Sequence, residues 1–261
     1  MGRSTFPNWT CLRRPVGFGF PVFLKPGTGL ALVLALLTLT SASTARTWYV
    51  GHDVPTIRAG IDSARAGDDV LIPPGTYLEH DIRMKGGILL HTLQGPEASI
   101  VDARQHGRVF NCVDFEDEAV IKGLGMVNGR TLDSGAGVRC LRANLRIQDC
   151  RIEDCSTQDA GGGVYVEASR VRIDGCRFTN DQAARDDVGL GGGGIGCLRA
   201  NVEIHECVIT DCGAYNGGGV DGMGSGIPVK DCKGDKKTKA LIACLEPNRR
   251  AEVEAVGSAI K

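Results

Sequence analysis

The stretch "GGGVYVEASRVRIDGC", residues 161–176, decides the fold. Three glycines lead into an alternation of small apolar and charged residues. The arrangement returns at 191–207 as "GGGGIGCLRANVEIHEC". The two segments share a register rather than long identities. Val138, Val164, Ile195 and Val220 follow the glycines; seven residues on stand Leu145, Val171, Val202 and Ile227. Two further come Ile147, Ile173, Ile204 and Val229, and three beyond these Cys150, Cys176, Cys207 and Cys232. Ile152, Phe178 and Ile209 follow, and Ala119, Ile121, Leu124 and Met126 carry the columns back by one unit. The units recur at spacings of 26, 31 and 25 residues. A period in this range marks a solenoid or a propeller. Alternation in twos demands strands rather than helices, about three short ones per unit. A propeller blade needs about 40 residues and four strands, so a parallel β-helix fits better. Stacking coils about 4.8 Å apart turns each column into a ladder. Glycine then serves the sharp corners between strands.

Earlier segments agree. "DDVLIPPGTYLEHDI" (68–82) reads as strand, turn and strand, and "GGILLHT", "ASIVDA" and "GRVFNCV" as further short strands. "VPTIRAGIDSARAGD" (54–68) breaks the pattern, with Ile57, Ile61 and Ala64 at helical spacing and Pro55 at the first turn. A solenoid needs its first coil covered, and this helix is the expected cap.

The first 45 residues differ from the rest. They hold four of the 30 basic residues and none of the 31 acidic ones. The apolar run "LALVLALLTLT" (30–40) precedes "SASTA", with Ser43 and Ala45 placed for cleavage. This pattern predicts a secretory signal peptide over 1–45 and an exported protein in the periplasm, outer membrane or extracellular space. The formal charge of −1 gives no argument for nucleic acid as a partner.

"PTIRAGIDSARAGDDVLIPPGTYLE" resembles the entry segment of pectate-lyase-like right-handed β-helix proteins, and "CRFTND" (176–181) is similar to repeat ends in polymorphic outer-membrane proteins. The resemblance covers roughly 48–220. It implies an all-β right-handed parallel β-helix over 46–221, in a group that includes lyases, hydrolases, adhesins and structural domains. After 221 the composition shifts. "GMGSGIPV" (222–229) with "DCKGDKKTKALIACLEPNRRAEVEAVG" (231–257) resembles the end of OmpA-like peptidoglycan-associated domains, through Gly222, Gly224, Pro228, Val229, Cys232, Cys244 and Asn248–Arg250. That resemblance implies a short α/β-like tail over 222–261, with "KKTKALIACL" helical and a Cys232–Cys244 disulfide. The family's ligand-contacting segment is echoed by Thr210, Asp211, Tyr215 and Asn216, which also fit the β-helix register, and the helix that should carry its arginine is missing. Peptidoglycan therefore stands as one alternative partner.

Ten of the eleven cysteines lie beyond the leader. Cys150–Cys155 and Cys207–Cys212 are spaced too widely for a structural zinc site, which favours closer pairs. A stack of small hydrophobes, or disulfides between neighbouring coils, accounts for the columns. "GLGGGG" (189–194) matches a dinucleotide-loop pattern in form only, because a strand follows it instead of a helix.

Polysaccharide hydrolysis needs two carboxyl groups on one site. Outward acids at equivalent or adjacent columns single out Asp154, Asp181 and Asp211 as catalytic candidates, a cluster that could also hold Ca2+ through oxygen ligands. No cofactor is expected otherwise. Outward charges on a solenoid more often face water, and His80, His91, His106 and His205 lack partners at helical or nearby spacing. The expected function is a non-catalytic glycan-binding, adhesive or structural envelope role. A polysaccharide lyase or glycoside hydrolase, and peptidoglycan association through the tail, are the alternatives. An open last coil would also invite self-association.

Overall fold

The computed structural model describes residues 44–184, 190–215, 217–234 and 242–244. Residues 1–43 of the expected signal peptide, Asn216 and most of the expected tail lie outside these. Among the described residues no helix is long and apolar enough to cross a membrane.

The chain winds into a right-handed parallel β-helix whose strands form four ladders. The first runs through Ile82–Met84, the start of Phe110–Lys122, the start of Val138–Gln148, then Val164–Glu167, Ile195–Leu198, Val220–Met223 and Ile242–Cys244. The second joins Thr47–Tyr49, Asp69–Ile72 and Leu89–Thr92 to the ends of the two long strands, and continues through Arg170–Asp174, Asn201–His205 and Val229–Lys230. The third has seven strands, from Gly75–Tyr77 to Lys233–Gly234. The fourth is short: Arg130–Thr131, Ser156–Thr157 and Gln182–Ala183. The expectation of three strands per unit thus misses this last pair of residues, present in three successive coils.

The register is the one read from the sequence. Val138 pairs with Val164, Val164 with Ile195 and Ile195 with Val220. Leu145, Val171 and Val202 align, as do Ile147, Ile173, Ile204 and Val229. These side chains are buried together in one continuous core. The corners show why glycine recurs. Gly161 takes φ +65°, in the left-handed region, while at Gly162 a side chain would strike the backbone of Gln182 and Gly193 on the next coils. One glycine turns the chain and the next lets two coils touch. Other corners use polar residues in the same conformation, notably the column Asn128, Asp154, Asn180 and Asp211 with φ between +54° and +57°. Asn and Asp tolerate this region better than most side chains.

The helix Ile57–Ser63 is capped by Thr56, whose hydroxyl accepts from the Ala59 amide at 3.1 Å. Glu79 completes the start by accepting from the Ile57 and Arg58 amides at 2.8 and 3.0 Å. Ile57 and Ile61 are fully buried in the core, and Ala64 nearly so.

Two expectations for the C-terminal part are corrected. Cys232 carries a free, buried thiol, so the Cys232–Cys244 bond is not formed. It extends the Cys150, Cys176 and Cys207 column instead, with its Sγ accepting from the Cys207 amide at 3.4 Å. Cys244 stands level with Gly222 in another ladder. Residues 242–244 form a strand, not part of a helix, because the edge of Val220–Met223 supplies backbone partners. The ladders thereby continue past 221. Cys112, Cys140, Cys150, Cys155, Cys176, Cys207 and Cys232 all keep buried thiols, and burial pushes Cys140 up to about 12. We expect the chain, unfolded without reductant, to be alkylated at Cys232. Peptide mass mapping that finds Cys232 protected until reduction would restore the bond.

Candidate functional site

The register separates the three aspartates chosen from the sequence. Glu153 pairs with Thr179, so Asp154 stands level with Asn180 and Asp181 level with Cys155. Asp154 and Asp211 are exposed at a corner, two coils apart, or about 9.6 Å at the usual strand spacing. Asn180 lies between them and donates to Asp154 Oδ1 at 2.6 Å. Gln182 donates to the Asp211 carbonyl at 3.0 Å. Asp181 turns inward and is fully buried. Its Oδ1 accepts from the Cys155 amide at 2.9 Å, while Oδ2 has no partner. Desolvation drives its carboxyl well above the ordinary value. The trio is not one site, and Asp181 faces no substrate. Among the described residues no three His, Cys, Asp or Glu side chains converge as a metal-ligand set.

A different row of polar groups runs along the axis where the fourth ladder turns into the first. His80 Nδ1 lies 2.9 Å from Asp81 Oδ2. Asp81 Oδ1 is 3.7 Å from Nε of Arg108 on the next coil. Arg108 is nearly buried, its side chain 8% exposed; it donates to the Ser134 carbonyl at 2.9 Å and pairs with Asp133. Arg139 approaches the other oxygen of Asp133 at 3.4 Å, and the Thr131 hydroxyl donates to Asp133 at 2.5 Å. Ser134 donates to Asp159 at 2.6 Å, one coil further. The row ends against Tyr165, whose hydroxyl donates to Glu167 at 3.1 Å and whose ring packs with Leu190 and Ala160. Gly191, beside Leu190, is tied down by Asp221, which accepts from its amide at 2.6 Å.

The electrostatics suit holding a ligand. Partial burial works against ionisation of Asp133, but the Thr131 hydroxyl and the Arg108 and Arg139 guanidinium groups outweigh it and hold the carboxyl below its usual range. Asp133 therefore stays an acceptor and is no proton donor near neutrality. Its side chain is 54% exposed, and that of Arg139 is 29% exposed, so both reach solvent. Tyr165 is pushed up by burial and then by Glu167, and stays a neutral phenol.

Most of this row escapes the alternation of the strands, because His80, Asp81, Arg108, Asp133, Ser134 and Asp159 lie between strands, outside the apolar columns. The signal was present: Asp81, Arg108, Asp133 and Asp159 are each 25 to 27 residues from the next. Carrying the register back from Ile82 and Phe110 places His80 level with Arg108.

Residues 98–253 match the family described as right handed beta helix region. The chain belongs to this family. The β-helix match thus runs across 222–253, where the OmpA-like end was expected. No curated protein matches the chain. Among solved structures, the chain is similar to the pectin methylesterase PemA from Erwinia chrysanthemi at 13% identity and TM-score 0.43, over 74% of this chain and 67% of that one. A pectin methylesterase in complex with a hexasaccharide gives 15% identity and TM-score 0.39, over 79% and 72%. Likeness at this level carries no argument about activity.

Proposed function

We propose that this β-helix is an exported, non-catalytic glycan-binding protein of the cell envelope. The observation that carries the reading is the axial row from His80 through Asp81, Arg108, Asp133 and Arg139 to Tyr165. It spans successive coils and presents carboxylate acceptors beside guanidinium donors. Sugar hydroxyls pair with both kinds of group, and charge-assisted contacts of this type are the strong ones. Asp81, Asp133 and Arg139 reach solvent, and an extended polymer lying along the axis would meet these, with the buried Arg108 holding the two carboxylates in place. Export rests on the leader-like sequence of residues 1–45. Asp133, committed as an ion, and Asp181, sealed in the core, weigh against catalysis in this row, and the exposed Asp154 and Asp211 are what remains for the enzymatic alternative.

Calorimetric titration of the full chain with oligogalacturonate, cello-oligosaccharides and soluble peptidoglycan fragments tests this. We expect one of these to bind, and Arg139→Ala to weaken it about tenfold, the loss of one charge-assisted hydrogen bond. No binding to any of them, or binding untouched by Arg139→Ala, would remove the support. New reducing ends or unsaturated ends on any substrate would make the protein an enzyme instead.

A further inference from the structure

We propose that His80 and His106 form a two-imidazole site for a late first-row divalent metal ion of the Cu2+, Ni2+ or Zn2+ class. The two residues lie one coil apart in sequence, and winding brings them face to edge. Their ring centres are 6.0 Å apart with planes at 82°. Two imidazoles ligating one ion, each at an N–metal distance of about 2.0–2.1 Å, stand with their centres about 5 to 6 Å apart, and the observed separation lies at the upper end of that range. His80 is already oriented. Asp81 Oδ2 lies 2.9 Å from its Nδ1, and an ionised carboxylate can only accept, so Nδ1 carries the hydrogen and Nε2 keeps the free lone pair. A carboxylate behind an imidazole is the usual supporting arrangement for a ligating histidine.

The backbone makes room for this pair. A Cβ on Gly107 would fall onto Asp81 Oδ2 and within 3.0 Å of His80 Nδ1, so a glycine is needed for the carboxylate to lie against the ring. Both rings are open to solvent: the His80 side chain is 43% exposed, and His106 is exposed. Arg108 holds Asp81 from behind at 3.7 Å, which keeps that carboxylate on the imidazole side. Two nitrogens leave the remaining coordination positions to water or to oxygens of a bound molecule. Such a donor set suits imidazole-preferring metals and not Ca2+, which takes six to eight oxygens. The site does not depend on glycan binding.

The test is calorimetric titration of the full chain with CuCl2, NiCl2 and ZnCl2 at pH 7.5. We expect one ion per chain, with His80→Ala and His106→Ala each weakening binding at least tenfold. Asp81→Asn should weaken it about tenfold, as loss of a supporting carboxylate does elsewhere. His52→Ala should leave it unchanged, because His52 pairs with Asp53 and makes no contact with these rings. Unchanged circular dichroism in the variants separates a lost ligand from a lost fold. Failure of all three metals to bind, or binding that survives both His80→Ala and His106→Ala, would overturn the proposal.

Discussion

Replacing Gly162 by alanine should cost about 3 kcal/mol of stability, enough to shift the urea midpoint well below that of the parent chain. The new methyl carbon would lie 2.5 Å from the Gln182 carbonyl oxygen, 2.6 Å from the Gln182 nitrogen and 2.6 Å from the Gly193 oxygen. All three are backbone atoms held in stacked coils, so no flexible side chain can yield. Gly51 makes the control: it has φ +84° and nothing within 4 Å of the added carbon. Gly51→Ala meets only the backbone preference, about 1–2 kcal/mol. Equal losses in the two variants would mean that the coils do not touch at Gly162 as described.

The second large effect is a pH dependence. Asp181→Asn should stabilise the protein, by an amount that grows with pH. Burial raises the folded-state pKa of Asp181 above its unfolded value near 3.8. A raised carboxyl contributes its stability fully below the unfolded value and loses it as pH climbs toward the folded one. The parent chain must therefore hold a proton, or bury a charge, that its unfolded form would release. Asparagine keeps the acceptor that meets the Cys155 amide and cannot ionise. From about pH 4 to pH 7 the gap between variant and parent should widen by about 1.4 kcal/mol per pH unit until the folded-state pKa is reached. Asp221, raised in the same direction by burial, is common to both chains and cancels. Urea unfolding at several pH values measures the gap directly. A gap constant from pH 4 to 7 would show Asp181 to be ionised and solvated.

The solenoid was legible because its evidence is repeated. Each apolar column, such as Ile147, Ile173, Ile204 and Val229, states the same alignment several times, and a parallel ladder has no freedom to depart from it. The candidate site was not, because turns obey no alternation. Asp154 and Asp181 look like one cluster by their spacing, yet a shift of one position from the left-handed corner sends Asp181 into the core. The direction of that side chain depends on the corner's backbone angle, which residue type alone does not dictate at Asp154. The His80 and His106 pair was hidden for a related reason: their proximity follows from the coil length and not from helical or local spacing. Cys232 illustrates the opposite error. The resemblance to OmpA-like ends implied a bond from Cys232 to Cys244, while membership in a four-residue column decided the outcome.

The short and similar lengths of the coils also bear on how the chain can fold. Ladder partners lie about one coil apart in sequence wherever they occur, as with Val138 and Val164 or Val171 and Val202. Closing a loop of that size costs chain entropy that grows only with the logarithm of its length. Every added coil then repeats the same modest closure against a template already in place, and no step requires the two ends of the polymer to find each other. Folding can start at any pair of coils and spread to both sides. Relatives with many more coils would face the same barrier at each step, so length in this architecture can change without slowing the search for the native state.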